Sequence, residues 1–193
     1  MMRRLTPTLI ALLLASCTIG SSTTQRPALD SPAIEPDGAF WDAINVARRG
    51  DHDSFLYALS PQMVYRALYP EARLREPTSQ EEFDSQRAEL DEALSRHAAV
   101  VREFSVRHMH ELDKLVHDRF IEVSKPSYTI RHKDSWGRAQ GPNFATVLVT
   151  IYPKQPLPEG FKPETIEVRF VQDGQRWLID GFDNDRLKGA FVR

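Results

Sequence analysis

The first helical signal in the chain is a run of apolar residues that recur every three or four positions. The run holds Phe40, Ala43, Ile44 and Ala47. It predicts an amphipathic helix that begins at Asp37 or Gly38 and ends before Gly50, which is placed to cap it. Shorter helices are predicted downstream, one beginning near residue 52 and one opened by the pair Ser60-Pro61.

A longer helical region is predicted from residue 79 to residue 118, where neither Gly nor Pro occurs. Its start, Ser79-Gln80-Glu81-Glu82, has the spacing of a capping box. A single helix over this range would be about 60 Å long, which is more than the width of an ordinary domain. We therefore expect a break between Ser95 and Ser105, which would give a helical hairpin or a bent helix.

After Pro126 the apolar period changes from 3.6 to 2, which predicts strands. The strongest strand is 143–152, with one wholly apolar face, and the group at 120–123 is β-branched and aromatic enough to be a strand as well. The pair Asp173-Gly174 fits a two-residue type I′ hairpin turn. That turn would place three pairs opposite one another: Phe170 with Trp177, Val168 with Ile179, and Glu167 with Asp180.

Helices followed by antiparallel strands predict an α+β fold. In this fold, N-terminal helices pack on an antiparallel sheet of three to five strands, and the long helical segment at 79–118 is added to them. The domain would occupy residues 38–193.

The N-terminus has the pattern of a secretory signal. Arg3 and Arg4 precede an apolar stretch of 12 residues, from Leu5 to Ser16. A membrane-spanning helix needs about 20 residues, so this stretch is too short to be one. The residues that close it are Leu14, Ala15, Ser16 and Cys17.

These four residues resemble the lipobox of bacterial lipoproteins. The resemblance implies that residues 1–16 are a signal peptide and that Cys17 receives a lipid that binds the membrane. In that family, Asp directly after the cysteine implies retention at the inner membrane. Thr18 occupies this position here, so the resemblance implies attachment to the outer membrane, with the domain facing the periplasm. The alternative is a plain secretory signal with an incidental cysteine.

Residues 17–37 would form a disordered tether, because they are rich in Ser, Thr and Pro and have no apolar period. The whole chain has 25 basic and 27 acidic residues, a net charge of −2. Removal of the signal peptide takes away two arginines and leaves a net charge of −4, which argues against a nucleic-acid partner. Cys17 is the single cysteine, so its lipidation would leave no thiol for disulfides, catalysis or metal binding.

Two stretches of the predicted domain, 40–55 and 176–182, resemble the nuclear-transport-factor-two-like superfamily. In that superfamily helices are held in a curved sheet as a cone. The resemblance implies the fold; because the superfamily contains both enzymes and binding modules, it implies no particular activity.

Three histidines fall on the second half of the long helical segment. His110, Asp113 and His117 are spaced so that they share one helix face, and His108 lies nearby. Such a face could bind a metal through neutral imidazoles, but no HExxH motif or cysteine pair accompanies it. The pattern favours a solvated face, and no metal or cofactor is predicted.

The predicted hairpin supplies the second candidate site. Glu167 opposite Asp180 would bring two carboxylates together, and a concave face there would raise the pKa of one of them. Tyr128 and His132 could share the pocket and complete a site for acid-base chemistry. The alternative is an exposed strand face whose charges are screened by arginines.

Loop aromatics supply the last candidates. Trp136 and Phe161 are expected in Gly- and Pro-containing loops, where they could anchor an envelope protein partner or cap the core. The leading hypothesis is a lipid-anchored envelope protein with a non-enzymatic ligand- or protein-binding domain. The alternatives are a small pocket enzyme and an assembly factor dominated by residues 79–118.

Overall fold

The computed structural model describes residues 33–130, 141–154, 159–160, 162–184 and 187. The predicted α+β fold is confirmed: within these described ranges, five helices precede and cover an open, curved antiparallel sheet of five strands. The helices are α1 Pro36–Arg49, α2 His52–Ala58, α3 Pro61–Leu68, α4 Gln80–Ser95 and α5 Ala98–Val116. The strands are β1 Arg119–Val123, β2 Ser127–Thr129, β3 Phe144–Pro153, β4 Glu164–Asp173 and β5 Arg176–Asp183.

Local sequence accounts for the ends of the helices. Gly50 ends α1 in the left-handed conformation, with φ of 71°, and its N–H donates to the carbonyl of Ala47. Ser60 caps α3 by accepting a hydrogen bond from the N–H of Met63 at 3.0 Å, and Pro61 follows at the first helical position. The short loops between α1, α2 and α3 are therefore set by capping residues.

The break predicted within the long helical segment lies at Arg96 and His97. His97 leaves the helical conformation, with φ of −116° and ψ of 33°, and its ring meets that of Tyr69 edge-on at 6.2 Å. The two helices pack on different partners, because α4 lies against α3 and α5 lies against α1 and α2. The segment is thus folded into the domain and does not extend as an arm.

The sheet has the order β1-β3-β4-β5, and β2 also pairs with β3. The two short strands divide one side of β3 between them, β1 at Val149–Pro153 and β2 at Phe144–Thr146. The predicted apolar face of β3 is buried, with each of its four residues at most 1% exposed: Ala145, Val147, Val149 and Ile151. This face packs on the helices and forms the main core.

The predicted register of the last hairpin is wrong by two residues. Phe170 lies opposite Ile179, and Gln172 lies opposite Trp177. The turn residues are Gly174 and Gln175, and Gly174 has φ of 62°. Glycine with positive φ at the first turn position is typical of a type II′ turn, which moves the loop along by one residue. A shift of two keeps every apolar side chain on its predicted face.

A β-bulge in β5 changes the second half of this hairpin. The pairing shifts between Arg169 and Phe170, and Asp180 is the extra residue that has no partner on β4. Beyond the bulge Glu167 lies opposite Asp183. The prediction that Glu167 faces Asp180 is therefore wrong, because the alternation of residues along β5 is interrupted between them.

The sheet is covered on both sides near the hairpin. On the face away from the main core, Phe83 of α4 packs against Val171 and Leu178, with Phe144 at the margin. The rest of that face is more open, since Phe120 is 60% exposed and Leu148 is 46% exposed. None of the helices in the described ranges is long and apolar enough to cross a membrane.

Several predictions lie outside the described residues. They are the signal peptide, the lipidated Cys17, most of the tether at 17–37, and the candidate residues His132, Trp136 and Phe161.

Candidate functional site

Asp180 is a buried carboxylate, 5% exposed, that the bulge places where α3 meets the edge of the sheet. Ser60 Oγ donates to its Oδ1 at 2.7 Å. Arg66 Nη2 lies 2.8 Å from Oδ1, and Arg169 Nη2 lies 2.7 Å from Oδ2. Two guanidinium groups and a hydroxyl therefore surround one carboxylate.

This arrangement holds α3 on β5. Ser60 also donates its backbone N–H to the carbonyl of Ile179 at 2.8 Å, and Arg66 Nη2 donates to the carbonyl of Asp180 at 3.1 Å. A carboxylate with this many donors is well satisfied in its ionised form. Asp180 accordingly positions α3 on β5.

Tyr128 lies elsewhere, at the start of α1. Its hydroxyl donates to the carboxylate of Glu35, which raises the pKa of Tyr128 to about 12. Its ring packs against Trp177 with a centroid distance of 5.7 Å. Glu167 is exposed on the far face of the sheet, opposite Leu148 and Asp183. Tyr128, Glu167 and Asp180 thus have no partner in common among these contacts, and they line neither cavity described below.

The histidines of α5 separate into buried and exposed groups. His108 is fully buried between the rings of Phe55, Phe104 and Phe182, at centroid distances of 5.3–5.9 Å. Burial lowers the pKa of His108 to about 3, so the ring is neutral at pH 7. His110 and His117 are exposed. Within the described residues, no group of three or more His, Cys, Asp or Glu is placed to hold a metal ion.

One concave feature among the helices is a cleft of about 580 Å³, which we call the helical cleft. Its walls come from α2, the start of α3, the end of α4 and the first half of α5. The apolar residues that line it are Leu56, Leu59, Pro61, Val64, Leu94, Ala98 and Val101. The polar residues are His52, Asp53, Tyr57, Asp91, Ser95, Arg102 and Ser105. Its volume falls within the range of small-molecule sites, about 300–1,000 Å³.

The polar residues of the helical cleft include a histidine-arginine pair. Arg102 Nε and Nη2 lie 3.1 and 2.8 Å from His52 Nε2. Because a guanidinium can only donate, His52 Nε2 is the acceptor in this pair. Asp53 Oδ1 lies 3.9 Å from the same nitrogen, and Ser105 Oγ donates to the backbone carbonyl of His52 at 2.8 Å.

A second cavity of about 600 Å³ lies where α5 passes into β1 and is lined mainly by charged residues. Most of its charges pair with one another, Lys154 with Asp118 at 3.1 Å and Arg119 with Glu164 at 3.7 Å. Asp118 has φ of 51°, and its contact with Lys154 lowers the pKa of its carboxyl. Because the paired charges already satisfy one another, this cavity makes a poorer ligand site than the helical cleft.

The residues of the helical cleft were not singled out from the sequence. His52 and Arg102 are 50 positions apart, and they meet only because α5 turns back across α2. The signal that was available was the break near residue 96, since a folded segment brings its second half against earlier helices. Searches for similar proteins found no family model, no curated protein and no solved structure that matches this chain.

Proposed function

We propose that this chain is a lipid-anchored cell-envelope protein whose domain binds a ligand without catalysing a reaction. The helical cleft carries the binding part of the proposal, because it combines apolar lining residues with polar ones that include the contacting pair His52 and Arg102. The lipobox-like residues 14–17 support the anchor, and outer-membrane attachment facing the periplasm is part of the proposal. The packing of helices on a curved sheet supports the likeness to the nuclear-transport-factor-two-like superfamily.

The two alternatives have less support. An acid-base enzyme built on Tyr128, Glu167 and Asp180 would need these side chains around one cavity, and their contacts lie with different partners. An assembly factor would be expected to present residues 79–118 as an extended arm, whereas α4 and α5 pack on the other helices.

The ligand-binding part is tested by native mass spectrometry of the protein purified from its own envelope in mild detergent. We expect an additional bound mass that is absent from Ala98→Trp, because Ala98 is exposed at the rim of the cleft and an indole would fill it. Ala99→Trp, on the exposed neighbouring residue that is not part of the lining, is the matched control. A bound mass of equal abundance in both variants would exclude the cleft as the site.

The anchor is tested separately by fractionation of cells. Wild-type protein is expected in the detergent phase, and Cys17→Ser in the soluble periplasmic fraction. An unmodified mature Cys17, or a mature N-terminus at another residue, would contradict the anchor while leaving the cleft untouched.

A further inference from the structure

The helical cleft brings a guanidinium and a carboxylate close to the same ring nitrogen, His52 Nε2. From this we infer the class of its ligand, an inference that rests on the proposed binding function. We propose that the cleft binds a single-chain zwitterionic amphiphile, in which an apolar chain carries a head with an anionic phosphate and a cationic ammonium group.

The floor of the cleft suits the apolar chain. Leu59 and Val64 are 1% exposed, and Val101 is 5% exposed, so the surface beneath the cleft is fixed by the core. A volume of about 580 Å³ is modest within the range of small-molecule sites, and we assign it one chain. If the chain is buried, each added methylene should raise the affinity about fourfold until the floor is covered.

Arg102 suits the phosphate. A guanidinium has five N–H donors, and the two that bond within the described residues, those on Nε and Nη2, converge on the single nitrogen His52 Nε2. An imidazole nitrogen carries no negative charge, and hydrogen bonds to a charged acceptor are roughly twice as strong. A phosphate oxygen that replaces or joins the imidazole would therefore improve the interactions of the guanidinium.

Asp53 suits the ammonium group. Its Oδ1 lies 3.9 Å from His52 Nε2, the ring nitrogen that the guanidinium of Arg102 also contacts. Asp91 brings a second carboxylate to the cleft from α4, and Tyr57 brings an aromatic face that can attract a cation. A head with a single charge would be attracted by one of the two residues Arg102 and Asp53 and repelled by the other, whereas a zwitterion satisfies both.

The test uses four probes that share a dodecyl chain, each kept below its critical micelle concentration. They are dodecylphosphocholine, dodecyl phosphate, dodecyltrimethylammonium and dodecyl maltoside. Binding to the full chain carrying Cys17→Ser is measured by isothermal titration calorimetry. We expect the phosphocholine to bind at least fivefold more tightly than either singly charged probe, and shorter phosphocholines to lose about fourfold per methylene.

Charge-removing variants assign the two halves of the head. Arg102→Gln should weaken both phosphate-containing probes about tenfold and leave the trimethylammonium probe unchanged or stronger. Asp53→Asn should weaken the two probes that contain a trimethylammonium group about tenfold and leave dodecyl phosphate unchanged or stronger. Arg107→Gln, which removes an exposed cation paired with Glu103 on the same helix, and Asp84→Asn, which removes an exposed acid on α4, should change none of the affinities.

Each outcome bears on a different claim. Equal affinity for all four heads, blocked by Ala98→Trp, would overturn the zwitterion assignment and leave the proposed binding function standing. Binding of no probe, or binding that Ala98→Trp leaves intact, would overturn the inferred ligand class and this site for it. If Ala98→Trp lowers the melting temperature, Ser95→Trp at the exposed rim takes its place.

Discussion

Asp180 shows how a single residue can join distant parts of the chain. It lies 120 positions from Ser60, and the hydroxyl-carboxylate bond between them holds the first turn of α3 against the last strand. The two arginines that complete its surroundings come from α3 and β4, and their side chains are 40% and 48% exposed. The carboxylate is therefore buried while its counter-charges remain in contact with water.

We predict that Asp180→Ala lowers the free energy of unfolding by about 2 kcal/mol. Loss of one member of a buried ion pair typically costs about 3–5 kcal/mol, and the partial exposure of Arg66 and Arg169 lets water compensate for some of this. Urea denaturation measures the change. Glu167→Ala, which removes an exposed carboxylate from the neighbouring strand, is the control and should stay within about 0.5 kcal/mol of wild type. A similar loss in both variants would show that the contacts of Asp180 contribute little.

His108 makes stability depend on pH. Its pKa is about 3 in the folded protein and near the ordinary 6.5 in the unfolded chain, so on acidification the unfolded chain takes up the proton first. The stability contribution is fully present above pH 6.5 and is lost as the pH falls toward 3.

We predict that the difference in unfolding free energy between wild type and His108→Leu changes by about 1 kcal/mol per pH unit from pH 6 to pH 3, with wild type losing more. Leucine fills the space between the three phenylalanine rings and does not titrate. Denaturant titrations at each pH measure the difference, in which the carboxyl groups common to both proteins cancel. A difference that stays constant over this range would mean that the ring is protonated in the folded state.

At the level of helices and strands, the apolar period predicted the features that are determined by residues close together in the sequence. The helix of Phe40, the strand of Val147 and the break at His97 all follow from apolar spacing, capping residues and a length limit. The bulge at Asp180 could not be predicted, because the sequence of β5 is compatible with pairing either with or without an inserted residue. The packing of α3 beside the strand decides between the two. The helical cleft was missed for the same reason, since His52 and Arg102 come together through the packing of α2 on α5.

The packing of α4 on the sheet predicts different stability costs for two phenylalanines on the same face. Phe83 is 3% exposed on the far face of the sheet, and Phe120 is 60% exposed on that same face. Phe83→Ala should lower the free energy of unfolding by about 3 kcal/mol, because it leaves a cavity against Val171 and Leu178. Phe120→Ala should cost less than about 1 kcal/mol. Equal costs, measured in urea, would mean that α4 does not cover the sheet in solution.

For the whole molecule, the proposed anchor has a chemical consequence. The chain has one cysteine, so a lipid on Cys17 would leave the mature protein without any thiol. We predict that a maleimide reagent, applied after denaturation, does not label this protein when it is purified from the membrane fraction. The same chain made without export should be labelled once per molecule, and Cys17→Ser never. Labelling of the membrane-bound protein would contradict thioether lipidation.

The two edges of the sheet determine how copies of this protein can contact one another. Beside β5, Leu59 forms an isolated parallel bridge to Ile179, so this edge is interrupted near its middle. The other edge is divided between β1 and β2, and Pro126, which has no N–H, stands between them. In the part of the chain that the structure describes, neither edge therefore offers a long uninterrupted ladder to a second sheet. Copies crowded together on one surface would meet through side chains, and this architecture resists the strand-to-strand growth by which exposed sheets form fibrils.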